Sequence, residues 1–528
     1  MEIRKFSILY HTLRHLRLIQ IRYQLYYRLR KKWWNFRPPV KIPESSPVPL
    51  SAGIPSGCSY IGNNAFRFLN IEHHFPEIDW NYEAYGKLWT YNLNYFEYLN
   101  QEKIEKAEGL RLIRDFISKQ TIHQDGYEPY PLSLRILYWV KFLGRYQIRD
   151  QEIDRQLYRD LIRLSKSLEY HLLANHLIEN GFGLLFGACH FRDEKMYRMA
   201  SELIRNELKE QILSDGAHYE RSPMYHQIIL HRVLDSYHLM HTQSWKSDPE
   251  FEKLLKSIAE KMLSWIGKMT FLSGEIPCVN DAAPGIAPTT SDLFRWAEQL
   301  NLSVPDIPLE ASGFRMFRGR RYEMLCDAGQ ITPAYQPGHA HAGHLQFLLH
   351  VDKKPVLVDT GISTYEKNER RQTERSTSSH NTVVVGDENS SEVWDGFRVA
   401  RRAKIKILQD DACCLEAEHD GYKKQGVIHR RSFHIGKEEI QILDTLSPEG
   451  RGENHFHLYP GCVIEKQGDF SFLIDQSVCL VFKNAETVRL EEYSFAAGFN
   501  QLIPGQKIIV SFAQEMKTSI SLISKESV

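Results

Sequence analysis

Between about residues 80 and 300 the apolar positions recur three and four apart. The stretches "KAEGLRLIRDFISKQ" (106–120), "SLRILYWVKFLGRY" (133–146), "IDRQLYRDLIRLSKSLEYHLL" (153–173), "EKMYRMASELIRNEL" (194–208), "IILHRVLDSYHLMH" (228–241) and "FEKLLKSIAEKMLSWIGKM" (251–269) each predict an amphipathic helix. Their connections are short enough for antiparallel helical hairpins. From about residue 312 the period changes to two. Leu345, Phe347, Leu349 and Val351 recur at every second position, on one face of a strand, and "AKIKILQ", "EIQILDTL", "VCLVFKN" and "KIIVSFAQ" repeat the theme between turn residues. This half predicts antiparallel sheet, as a sandwich. Two cores with different periods predict a helical domain over 80–305, a β domain over 312–528, and a cleft between them in which a ligand can lie.

Residues 41–79 begin with a Pro/Ser/Gly-rich stretch and are read as a linker. Residues 1–40 are distinct. They combine dispersed aliphatic and aromatic residues with ten Lys/Arg between positions 4 and 37, and no acid after Glu2. Arginines interrupt every turn, so the segment is not of the secretory signal type. Two readings stand: a basic amphipathic segment on an anionic membrane or a membrane protein, or a helix packed on the rest of the chain. The first places the protein in the cytoplasm or at the inner membrane, with the periplasm as alternative.

Composition changes this picture little. Lys+Arg and Asp+Glu are both 66, so nucleic acid is not an expected partner and any anionic ligand must meet a local patch. The eight cysteines show no paired spacing.

Four groups of residues could carry chemistry. "GHAHAGHLQF" (338–347) holds His339, His341 and His344; read as a strand, it puts the first two on one face and the third on the other. Downstream, "PVLVDTG" ends an apolar strand at Asp359, and "RSTSSHNTVVV" places His380 before another apolar run. Two imidazoles and a carboxylate are an ordinary zinc set, as they are ordinary isolated side chains. In "HLLANHLIENGFG", Asn175 and His176 are expected at the tail of a helix that Gly181 and Gly183 then open. In "SDGAHYERSPMYHQIIL", Ser222 and Pro223 predict an N-cap and first helical position, putting Tyr225 in the first turn, where the helix dipole favours a phenolate. A basic group, Arg370, Arg371, Arg375, Arg398, Arg401, Arg402 and Lys404, is a candidate patch for an acidic polymer.

Together, "LWTYNLNYFEYL" (88–99), "NHLIENG" (175–181), "DGAHYERSPMYHQIIL" (215–230), "GHAHAGHLQF", "RSTSSHNTVVV" and "WDGFRVARRA" (394–403) resemble the heparinase II/III family of polysaccharide lyases and its alginate-lyase relatives. The resemblance implies an incomplete (α/α) toroid followed by an antiparallel β-sandwich, and β-elimination on a uronic-acid polysaccharide. It implies Asn175, with His176, on the uronate carboxylate; Tyr225 and His339 as the proton-transfer pair; Tyr365 and Arg375 as substrate contacts; and His341, Asp359 and His380 as ligands of a structural Zn2+. In one respect the chain departs from the family: relatives often have aspartate where Gly343 stands and serine where Gln346 stands, which removes a carboxylate beside the histidines. Two rival functions follow from the residues alone. One is a glycoside hydrolase using carboxylates among Glu179, Glu220 and Asp281; the other is a non-catalytic glycan-binding or assembly component.

Overall fold

The computed structural model describes residues 2–31, 36, 39, 41–119 and 124–523. The N-terminal segment forms helices α1 (Glu2–Leu13) and α2 (Leu18–Lys31); residues 1, 32–35, 37, 38 and 40 of the predicted basic segment lie outside the described residues. The helical domain comprises α3 (Lys87–Tyr95), α4 (Lys106–Ser118), α5 (Pro129–Tyr146), α6 (Gln151–Ser165), α7 (Ala174–Phe191), α8 (Glu194–Gln211), α9 (Pro223–Thr242), α10 (Pro249–Met269) and α11 (Thr290–Gln299).

The helices alternate in character. α5, α7 and α9 are buried almost all round, whereas α6, α8 and α10 bury one apolar stripe and turn charged residues to solvent. A helix apolar on every side must be enclosed, so the sequence itself separates an inner ring from an outer one. The inner helices approach closely because glycines face their neighbours: a Cβ on Gly183 would lie 2.8 Å from the Cα of Ser133 on α5. Gly181 and Gly183 therefore sit inside α7 as packing positions, and Asn175 and His176 begin that helix rather than end it. The positive φ of Leu173 (64°) and Ala174 (54°) turns the chain into α7.

Residues 41–79 are no linker. Val48, Leu50, Ile54, Phe66, Phe68, Phe75 and Ile78 are buried in the helical core, and β1 (Tyr60–Gly62), β2 (Ala65–Phe68) and β3 (Ile71–His74) form an antiparallel sheet. The prolines set the stretch apart by composition, but the large side chains between them are core residues.

In the β domain, β4 (Phe314–Arg318), β5 (Tyr322–Asp327), β6 (Phe347–Val351) and β7 (Lys354–Leu357) make a four-stranded antiparallel sheet facing a ten-stranded one. Met324, Phe347 and Leu349 pack with Phe433, Ile442, Val510 and Ile520 of the large sheet. The other face of the small sheet joins the helical core through Phe314, Leu325 and Leu348, and His350 stacks on Phe271 with ring centroids 3.7 Å apart. β6 is thus buried on both faces, which is why polar alternation fails there. "GHAHAGH" is not strand but a loop before β6, with Leu345 at φ 58°.

Two straps join the halves beside the cleft. On one side α1 and α2 lie across both domains: Trp394 donates to Thr12 (3.2 Å), and Gln20 donates to the carbonyls of Leu172 (3.3 Å) and Tyr335 (3.4 Å). On the other, the hairpin of the last two strands, Val478–Gly498 and Gln501–Leu522, meets the β2–β3 turn through Asn70 to the Phe499 carbonyl and Asn500 to the Leu69 carbonyl (both 2.9 Å).

Candidate active site

Between the domains lies a cleft of about 1010 Å³. Its walls carry Tyr91, Tyr95, Tyr130, Tyr365 and Phe397, flat apolar faces of the kind on which sugar rings stack, with Arg67, Lys87, Arg398 and Arg402 among them. Asn175, His176, Glu220, Tyr225 and His339 all open into it.

Each is positioned by local structure. Tyr225 sits in the first turn of α9, where Ser222 caps its backbone N–H at 3.3 Å and Pro223 opens the helix. Its ring lies against His339, centroids 3.9 Å apart, and its hydroxyl is 3.2 Å from that of Tyr365. Burial, reinforced by Tyr365, Asp281 and Glu220, pushes the Tyr225 phenol well above its ordinary range. The helix dipole does not prevail over desolvation, contrary to the sequence expectation, and Tyr225 is held as a neutral phenol.

His339 is oriented by Asp281, whose Oδ2 lies 2.8 Å from Nδ1. An ionised carboxylate only accepts, so Nδ1 carries the ring proton and Nε2 presents its lone pair. Asp281 also accepts from His341 Nε2 (2.9 Å) and from both terminal nitrogens of Arg371 (2.5 and 2.7 Å). Burial alone would raise its carboxyl, but Arg371 and the two histidines outweigh that and hold it well below the usual range. The carboxylate beside the two histidines thus comes from the loop at 281. Gly343 could not carry one, because a Cβ there would fall 2.9 Å from the His380 ring.

At the start of α7, Asn175 donates its backbone N–H to Glu220 Oε1 (3.3 Å), while its side-chain amide makes no hydrogen bond among the described residues. Glu220 Oε2 lies 3.8 Å from His339 Nε2, and burial raises the Glu220 carboxyl. His176 Nδ1 is braced by Glu169 at 3.1 Å; despite burial, which opposes charge, Glu169 raises its basicity.

The remaining predicted residues fall into two groups. Tyr365 lines the cleft, as expected. Arg375 does not: it is fully buried and donates to the carbonyls of Ala340 (3.0 Å), Arg398 (3.3 Å) and Trp394 (3.5 Å), fixing the loop that carries His339. Of the rest of the basic group, Arg371 is buried, Arg370 and Arg401 are half-buried on Glu374 and Ser7, Arg398 and Arg402 line the cleft, and Lys404 is exposed. His341, Asp359 and His380 are near one another: the two imidazoles are 5.4 Å apart and His380 Nδ1 meets Asp359 Oδ2 at 2.8 Å. Among the described residues no three His, Cys, Asp or Glu side chains converge as a metal cluster. Yet His341 Nδ1, His380 Nε2 and the Gln346 amide are buried without partners among the described residues, and free imidazole nitrogens with a carboxylate behind each ring, Asp281 on His341 and Asp359 on His380, suit a zinc ion.

Two family models match the chain, heparinase II/III N-terminus over residues 167–300 and heparinase II/III-like C-terminal over 303–523, so that together they span most of it. The chain belongs to the heparinase II/III family. Among solved structures it is similar to a heparinase III (TM-score 0.63, 17% identity, 88% of this chain and 83% of that one). It is also similar to a heparan sulfate lyase from Pedobacter heparinus (0.58, 15%, 88% and 82%) and to a chondroitin AC lyase from Streptomyces coelicolor A3 (0.50, 10%, 84% and 76%). At these identities the likeness is one of fold, an (α/α) toroid with an antiparallel β-sandwich. A search of curated protein sequences finds no match.

Within this family member, Arg371 and Asp281 are the residues that sequence reading undervalued. Arg371 was one cation in a patch and Asp281 one of three carboxylates, yet their pairing, with both side chains fully buried, organises two histidines.

Proposed function

We propose that the protein is a carbon–oxygen lyase that cleaves an acidic, uronate-containing polysaccharide by β-elimination. The observation that carries this is the closely packed Tyr225–His339 pair: a neutral phenol and an imidazole whose Nε2 faces the cleft, side by side among aromatic and basic side chains. His339 Nε2 takes the C5 proton of the uronate. The C–H electron pair becomes the C4–C5 double bond, the C4–O bond breaks, and the Tyr225 hydroxyl delivers a proton to the leaving oxygen. The Asn175 amide, with His176 beside it, binds the carboxylate on which negative charge develops.

The carboxylates support this over hydrolysis. Of the three carboxylates considered for hydrolysis, Glu179 is buried against Arg232 at 3.2 Å and Asp281 is enclosed by Arg371, so Glu220 is the one of them that lines the cleft, together with Glu97, Glu366 and Asp395. A zinc ion would be held by His341 and His380 with Asp359, and would supply a fixed charge that braces the loop carrying His339. The partners are an acidic polysaccharide and, through residues 1–40, a membrane; the place of work is the cytoplasm or the inner membrane, which cell fractionation tests. For the reaction, Tyr225→Phe is expected to lower elimination by about 10²–10⁴-fold with the thermal unfolding midpoint nearly unchanged. Full activity in that variant would remove Tyr225 from its role.

A further inference from the structure

The N-terminal helices are amphipathic in the reverse sense to the helices of the domain. In α2 the residues turned toward the protein are Gln20, Tyr23, Gln24 and Tyr27, one stripe at i, i+3, i+4 and i+7. Tyr23 packs on Tyr170 (centroids 4.7 Å apart), Tyr27 donates to the Leu168 carbonyl, and Gln20 and Gln24 line the cleft. The opposite stripe is Leu18, Ile21, Leu25 and Leu29, with Leu18 85% and Leu29 64% exposed. α1 repeats the arrangement: Ser7 and Thr12 bond inward to Arg401 and Trp394, while Phe6 (72% exposed), Leu9, Tyr10 and Leu13 point out. A hairpin docked by its polar side leaves its apolar side for a partner.

We infer that this outer face is a docking foot for an anionic phospholipid bilayer. Arg14, Arg22 and Arg28 are exposed beside the apolar stripe, and from Phe6 to Arg30 the two helices contain no acid. Apolar side chains flanked by arginines match the acyl boundary and phosphate layer of an anionic leaflet. The helices are 12 and 14 residues long, too short at about 1.5 Å per residue for the roughly 30 Å hydrocarbon core, so they lie on the surface rather than cross it. Because Thr12, Leu16, Gln20 and Gln24 wall the cleft from the other side of the same helices, the bilayer sits about one helix diameter, roughly 10 Å, from the site. The inference rests on the membrane part of the functional reading and is independent of the elimination chemistry.

The test is flotation of the full chain with vesicles of phosphatidylcholine alone or of equal parts phosphatidylcholine and phosphatidylglycerol, without polysaccharide. The chain is expected to float with the anionic vesicles and far less with the neutral ones. Arg22→Gln with Arg28→Gln is expected to lower partitioning about thirtyfold. Leu18→Gln, Leu25→Gln and Leu29→Gln together are expected to reduce it to background, with unchanged thermal unfolding because all three side chains already face solvent. Absence of flotation, equal flotation with both vesicles, or retention by either variant overturns the inference. So does a dimer that the leucine variant dissolves while vesicles bind nothing, which would make a second copy the occupant. Each of these failures leaves a measured elimination activity standing.

Discussion

Replacing Asp281 by Asn should separate what this carboxylate does for the reaction from what it does for the fold. Asp281 and Arg371 are both fully buried, and the carboxylate accepts four hydrogen bonds, two from Arg371 and one each from His339 and His341. An amide cannot accept all four, because one of its ends is a donor. If its NH2 faces His339, the imidazole proton is driven to Nε2 and the base is blocked; a comparable tautomer error in a serine protease triad costs about 10⁴-fold. We therefore expect elimination to fall by about 10³–10⁴-fold. Arg371 is also left as a buried, uncompensated cation, which costs about 3–5 kcal/mol of stability. Adding Arg371→Met removes that cation, so the double variant should regain most of the lost thermal stability while staying inactive. The assays are the initial rate of unsaturated-uronate formation and the thermal unfolding midpoint. An Asp281→Asn protein with the parent rate, or a double variant that regains activity, would refute the argument.

Three further outcomes follow from the same structure. Burial holds His341 and His350 down to about 4 and His226, His344 and His455 to about 3. The unfolded chain, with histidines near about 6.5, binds more protons in that window, so stability is full above pH about 6.5 and declines as pH falls toward about 4. A flat unfolding midpoint across that range would contradict the burial of these rings as neutral groups. Gly183→Ala should destabilise by about 1–3 kcal/mol, because its Cβ meets the backbone of α5 and neither helix can give way cheaply; chemical denaturation reads this, and a neutral result would deny the close helix approach. Elemental analysis of protein purified without chelator should find zinc that His341→Ala and His380→Ala each lose, and metal-free parent protein would leave those nitrogens without the proposed role.

What the sequence displayed depended on how local the signal was. The cap at Ser222–Pro223 and the helix phase of α9 are written in adjacent residues, and the structure bears them out. The change from period three and four to period two likewise divides the helical from the β half. Signals that depend on tertiary context were misread. Gly181 and Gly183 looked like helix breakers but are contact points between inner helices, which reversed the end of α7 on which Asn175 and His176 stand. Prolines made 41–79 resemble a linker although its aromatic side chains complete the core. Asp281 lies in "CVNDAAPG", an aperiodic loop with no helix or strand phase to point it anywhere, and only folding sets it between His339, His341 and Arg371. The resemblance implies a substrate contact for Arg375, whereas its planar fork is used on three backbone carbonyls.

The central claim, elimination at the Tyr225–His339 pair, is tested most directly by ultraviolet absorbance during incubation of the purified protein with a panel of uronate polymers. The account predicts a rise with at least one polymer, from the C4–C5 double bond, and its loss in Tyr225→Phe. New reducing ends without that absorbance would mean hydrolysis, and polymers left intact by folded, zinc-supplied protein would mean a binding role; either result would contradict the account.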